Sequence, residues 1–243
     1  MPLLLFSAQS VGAGVTLPIM APGDWFRSVE WDVEARADFE ARLARARPYN
    51  RPQYLKIKGL SLQESGRDAD AVELLWRVIE EYPDSLDASY CAERLGDHYL
   101  AVGDPVAAER HYRRSLELRP DMNATSGEVH IGLAEALIAQ DRYDEAVQAL
   151  DYVPVSSFTM NHGLCRWNAA LAEATLGVGE PQVAREAAGR ALALLEAADQ
   201  FTRHAGVGRA VLNDAQQKRL RAIASGGAGR TAARRWSLRQ RRR

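Results

Sequence analysis

Residues 32–47, DVEARADFEARLARAR, put Ala35, Phe39, Leu43 and Ala46 on one stripe and charge nearly everywhere else, the pattern of an amphipathic helix. Pro48 closes that helix, and PYNRP at 48–52 bends the chain toward a second helical run. Four apolar helical runs then succeed one another: YLKIKGLSLQ, YCAERLGDHYLA, VHIGLAEALIA and WNAALAEATLG. Each leads into a break residue (Gly66, Gly103, Asp141 or Gly179), and five positions after each break stands an alanine (Ala71, Ala108, Ala146 or Ala184). These alanines are 37, 38 and 38 residues apart, so the pattern is a repeat. Four residues beyond the first three lies a large side chain, Leu75, Tyr112 or Leu150. The last helical run, NDAQQKRLRAIA at 213–224, starts at a capping residue, Asn213 or Asp214.

Physically this is a helix–turn–helix unit used four times. The first helix of each unit, helix A, ends at a Gly or Asp able to take the left-handed conformation. Pro105 and Pro181 suit the first turn of the second helix, helix B. The small Ala sits where helix B presses on helix A, and the large residue four later fills the next hole. Gly96 lets its helix A approach a neighbour closely, and Pro120 stops the helix B that ends there. A single pair cannot cover its own apolar face, so the pairs must stack.

Leu95, Gly96, Tyr99, Gly103, Ala108, Tyr112, Ser115 and Pro120 resemble the tetratricopeptide repeat, as do Gly59, Leu62, Gly66, Ala71, Leu75 and Pro83 in the first unit. Units three and four keep Leu133, Ala134, Leu137 and Ala146, then Leu171, Ala172, Ala184 and Ala191, and lose the closing Pro. The spacing exceeds the family's period of about 34 residues, so the connections carry a few extra residues. The resemblance covers roughly 52–198. It implies an all-α, right-handed superhelical solenoid of about four helix–turn–helix pairs with N- and C-terminal capping helices. The expected organisation is a disordered leader (1–23), an N-terminal capping helix (24–51), the repeat array (52–198), a C-terminal capping helix (199–225) and a disordered Arg-rich tail (226–243). Trp25, Phe26 and Trp31 are expected to staple the leader onto the N-terminal cap.

In such repeats the inner positions of helix A meet the ligand. Carried onto this chain, they are Gln53, Lys56, Leu60 and Gln63, then Tyr90, Glu93, Asp97 and Leu100. The third and fourth units supply Glu128, Ile131, Glu135 and Ile138, then Arg166, Ala169, Glu173 and Leu176. The basic clamp by which some family members hold a C-terminal carboxylate is missing: only Lys56 fits, and Leu60 stands in place of its Asn partner. The expected site is a groove of Lys56, Tyr90, Glu93, Asp97, Glu128, Glu135, Arg166 and Glu173, acidic on balance with apolar positions between.

The formal charge of −1 hides an asymmetry. Residues 226–243 carry seven Arg and no acid, which leaves 24 basic against 32 acidic residues over 24–225. The acidic groove suits a basic or amphipathic peptide or another protein. The tail, with Arg234, Arg235, Trp236, Arg239, Arg241, Arg242 and Arg243, is a candidate to compete for that groove in cis; the rival reading has it bind nucleic acid or an anionic surface.

Two cysteines make no disulfide framework and point to a reducing cytoplasm. The leader lacks the basic start and long apolar core of a signal peptide, and no run of about 20 apolar residues is present to span a membrane. His162 with Cys165, and Cys91 with His98, share helix spacing but make no four-ligand metal set. Cys165 stands near a helix start, where a thiol pKa is lowered, with no base beside it. No phosphate loop, nucleophile elbow or metalloprotease signature occurs. The expectation is a non-enzymatic, cytoplasmic scaffold or adaptor without cofactor or metal.

Overall fold

The computed structural model describes residues 24–119, 128–153, 158, 160–201 and 203–227. Every regular element among them is a helix, and they divide into two compact units. Within the described residues, the first unit holds 24–103 and 110–119, the second 104–109 and 128–227. The leader, Pro120 and the Arg-rich tail from 228 lie outside the described residues.

The first unit opens with a 3-10 turn, Trp25–Arg27, and α1 (Val33–Arg45), whose first turn is capped by Asp32 Oδ1 accepting from the Ala35 amide at 2.8 Å. The Pro48–Asn50 bend is a second 3-10 turn. It leads into the pair α2 (Arg51–Glu64) and α3 (Asp68–Glu81), then α4 (Leu86–Ala101); of α5 (Pro105–Leu118), residues 110–118 belong to this unit and 105–109 to the second. The second unit contains the pair α6 (Glu128–Ala139) and α7 (Tyr143–Asp151), the pair α8 (Asn161–Val178) and α9 (Pro181–Leu195), and α10 (Asp214–Ala224). Asn213 and Gln216 close a reciprocal capping box on α10, so the expected start holds.

The break residues do what their chemistry allows. Gly66, Gly103, Asp141 and Gly179 have φ of 80°, 82°, 60° and 91°. In three of the turns the next amide reaches back to the same carbonyl: Arg67 to Leu62 (2.9 Å), Arg142 to Leu137 (3.0 Å) and Glu180 to Thr175 (2.8 Å). That bond satisfies a helix-end carbonyl while the chain reverses. Nothing lies within 4 Å of a Cβ placed on Gly179, so backbone strain alone decides a substitution there. Gly179→Ala is expected to cost about 1–2 kcal/mol, the penalty for an L-residue in the left-handed region, read as a lowered urea midpoint.

Packing follows the same register. Ala71, Ala108, Ala146 and Ala184 are at most 1% exposed, as are Leu75, Tyr112 and Leu150. Sixteen residues before each of these large side chains stands Gly59, Gly96 or Ala134, and in the fourth repeat the same two positions are Ala172 and Ala188, both buried. The largest partner, Tyr112, faces a glycine: a Cβ on Gly96 would lie 2.6 Å from its ring. Small and large residues compensate across the helix pair, as close packing requires.

One position breaks the register. Lys58 stands where the later repeats carry Leu95, Leu133 and Leu171, yet it is buried. Its ammonium donates to the carbonyls of Glu30 (2.9 Å) and Ser28, and lies 4.8 Å from the centroid of the Trp31 ring. Burial lowers its pKa to about 8. Trp25 and Phe26 pack on Tyr54 of α2, while Trp25 and Trp31 both pack on Phe39 of α1. The aromatic segment is thereby fastened to the first helices by both rings and a cation.

Candidate functional site

The helix-A positions fall in two sets, one in each unit. In the first unit, Lys56 on α2 pairs with Asp87 on α4 at 2.5 Å, and its ammonium lies 5.3 Å from the Tyr90 ring centroid. Tyr90 is 43% exposed, a large ring displayed at the surface beside a fixed cation. Asp97 accepts from Arg94 (3.0 Å) and from the Tyr112 hydroxyl (2.8 Å), and Arg94 also reaches Gln63 of α2. Glu93 is half-buried on the same helix.

In the second unit, Arg166 of α8 binds Glu135 of α6 through two nitrogens, at 2.7 and 3.3 Å, and Glu128 at 3.4 Å. His162 reaches the other oxygen of Glu128 at 2.6 Å. Glu173 is gripped in a fork by Arg219 of α10, with Nε at 2.8 Å and Nη2 at 3.0 Å. That hydrogen bonding raises the Arg219 pKa, keeping the guanidinium charged.

The acids at these helix-A positions are not bare carboxylates. Asp97, Glu128, Glu135 and Glu173 each face a cation of the same unit. Of the positions expected to form an apolar floor, Ile131, Leu100 and Leu176 are buried. Glu128 and Glu135 tie α6 to α8 and Glu173 ties α8 to α10, while Asp97 pairs within α4 and accepts from Tyr112 of α5. Arg94, Asp87, His162 and Arg219 were not among the expected site residues. A sequence signal for three of these links exists: Lys56–Asp87, Gln63–Arg94 and Glu135–Arg166 are all 31 residues apart, one repeat less about two helical turns.

Both thiols are buried. Cys165, four residues past the start of α8, is 1% exposed with Sγ 3.4 Å from the Ala191 carbonyl. Burial pushes its pKa up to about 11, reversing the expectation from its place near a helix start. Burial pushes the Cys91 thiol up as well. Both cysteines are expected to resist Ellman's reagent at pH 8 in the native protein and to react at once in guanidinium chloride. Among the described residues no group of three or more His, Cys, Asp or Glu is placed to hold a metal ion. No helix among them is long and apolar enough to cross a membrane.

Helix pairs that reverse through a left-handed residue at a fixed register, with a small residue where the helices cross, match one known kind of repeat. A family model described as Tetratricopeptide repeat matches residues 57–85, which span most of α2 and α3, and a second of the same description matches 99–155. The chain carries tetratricopeptide repeats. Among curated proteins none matches the sequence. Tetratricopeptide repeats generally mediate protein–protein interaction, and the α8–α9 pair, outside both matched stretches, keeps the same turn and the same buried alanine at Ala184.

Proposed function

We propose that the protein is a cytoplasmic, non-enzymatic scaffold or adaptor whose helix-A faces receive a basic or amphipathic segment of another protein. The observation that carries this reading is Tyr90: a large ring, exposed and steadied over Lys56, on the face where tetratricopeptide repeats meet their ligands. An aromatic anchor of this kind supplies contact area at small entropic cost. The paired carboxylates refine the expectation from charge alone. A basic partner must exchange one ion pair for another at Asp97, Glu135 or Glu173, which yields little net affinity. Their part is steering and register, and the apolar and aromatic contacts supply the binding energy.

The test is a capture experiment with the full chain as bait beside Tyr90→Ala and a chain ending at residue 227. Charge reversal of Asp97, Glu135 or Glu173 is unsuitable, since each would break a contact between helices: Asp97 with Tyr112 of α5, Glu135 with Arg166 of α8, Glu173 with Arg219 of α10. A partner lost with Tyr90→Ala and retained without the tail supports the helix-A face. A partner unaffected by Tyr90→Ala contradicts it. The second reading rests on the seven tail arginines and Trp236: if capture of nucleic acid or anionic vesicles vanishes with the tail, the tail is the functional element. If removing the tail strengthens capture of the protein partner, the tail competes for the face in cis.

A further inference from the structure

We propose that the α8–α9 pair carries a second recognition site, which takes a partner segment presenting a carboxylate beside a bulky apolar side chain. An open apolar cleft of about 500 Å³ is lined by Leu164, Trp167 and Asn168 of α8 and by Arg190, Ala193 and Leu194 of α9. Its walls are set by the fold. The Trp167 indole donates to the Leu150 carbonyl at 3.3 Å, so its polar edge is satisfied and the ring serves as an apolar wall. Asn168 donates to the Leu164 carbonyl at 2.8 Å and accepts from Arg190 Nε at 2.9 Å, which fixes the plane of the guanidinium at the cleft.

The repeat register shows what is unusual here. The position of Arg190 is held by Arg77 in the first repeat and Arg114 in the second. Arg77 is neutralised by Glu40 at 2.6 Å and Glu81 at 3.0 Å, and Arg114 by Glu117 at 3.3 Å. Glu81 lies four residues after Arg77, and Glu117 three after Arg114. In the fourth repeat those offsets fall on Leu194 and Ala193, the two residues that line the cleft. Among the described residues no carboxylate pairs with Arg190, whose one hydrogen bond is to Asn168. A planar cation with its outer nitrogens open, set at an apolar recess, is complementary to a carboxylate flanked by an apolar group. The cleft is open to solvent, which fits a side chain offered from a protein segment. This site is independent of the helix-A reading above.

The test selects random dodecapeptides displayed on phage against the full chain and measures the enriched peptides, fluorescein-labelled, by anisotropy. The expected peptides carry Asp or Glu next to Leu, Ile, Phe or Trp. They bind Arg190→Glu about tenfold or more weakly, the loss of one charge-assisted contact, and bind Tyr90→Ala as they bind the wild type. Arg190 is exposed, so the variant should melt like the wild type. Arg190→Gln, which keeps a donor and removes the charge, serves if it does not. Selection that enriches no such motif, or peptides that bind Arg190→Glu and Arg190→Gln as tightly as the wild type, overturns the proposal. Peptides lost with Tyr90→Ala would belong to the helix-A face and overturn it equally.

Discussion

Lowering the pH from 7 to 5 is expected to cost the wild-type protein about 2 kcal/mol more unfolding free energy than it costs His111→Leu. His111 is 1% exposed, stacked on Tyr99 at 5.0 Å and edge-on to Trp76 at 4.8 Å, and its Nε2 is without a partner among the described residues. Burial, helped by the Arg110 charge, lowers its pKa to about 4. An unfolded histidine titrates near 6.5, so the unfolded chain binds this proton first. The contribution is present in full above about pH 6.5 and is lost as pH falls toward 4. Leucine is the natural replacement, because the same register position in the first repeat is Leu74, which is fully buried. His130, also buried with its pKa lowered by burial, leaves a residual acid sensitivity in the variant. Urea unfolding of both proteins at the two pH values gives the comparison. Equal losses would mean that His111 is protonated in the folded protein without penalty.

Gly96→Ala is expected to destabilise the protein by about 1–2 kcal/mol, and Tyr112→Leu is expected to rescue it. Alanine should gain up to about 1 kcal/mol over glycine inside a helix, so a net loss reports the clash. The added Cβ would sit 2.6 Å from the Tyr112 ring, and overpacking of this kind costs about 1–3 kcal/mol. The third repeat already holds the solution: Ala134 and Leu150 occupy the same two register positions, both buried. The double variant should therefore be more stable than the sum of the single changes, with a coupling of about 1 kcal/mol or more in a double-mutant cycle. Additive losses would show that the two residues do not meet. Tyr112→Leu alone gives up the hydrogen bond to Asp97, so its own loss sets the reference for the rescue.

These two residues also mark how far the sequence could be read. Gly96 as a point of close approach and Tyr112 as a hole-filling side chain were legible because residue size recurs at a fixed interval, visible without coordinates; that the two meet each other was not. The left-handed turn at Asp141 was legible for the same reason, since it stands in register with three glycines. Lys58 was not: its carbonyl partners Ser28 and Glu30 lie in irregular chain, where no periodicity points to them. His111 and His130 were two of five scattered histidines, and only the packing of neighbouring helices distinguishes them from His162, which is half-exposed against Glu128. The cations that pair with the helix-A acids were not legible. The acids could be placed from the register, but Arg219 approaches Glu173 from 46 residues away, on a helix outside the repeat. Cys165 misled through a local rule, the low thiol pKa at helix starts, which burial overrides.

Hydroxyl-radical footprinting of the full chain, free and bound to its captured protein partner, puts the helix-A face to the sharpest trial. Tyr90, Tyr49 and Tyr152 are all exposed, at 43, 68 and 67%, and act as internal reporters. Oxidation of Tyr90 is expected to fall in the complex while Tyr49 and Tyr152 react as in the free protein. Unchanged oxidation of Tyr90, with protection appearing at Tyr49 or Tyr152 instead, would place the partner elsewhere and refute a helix-A binding face.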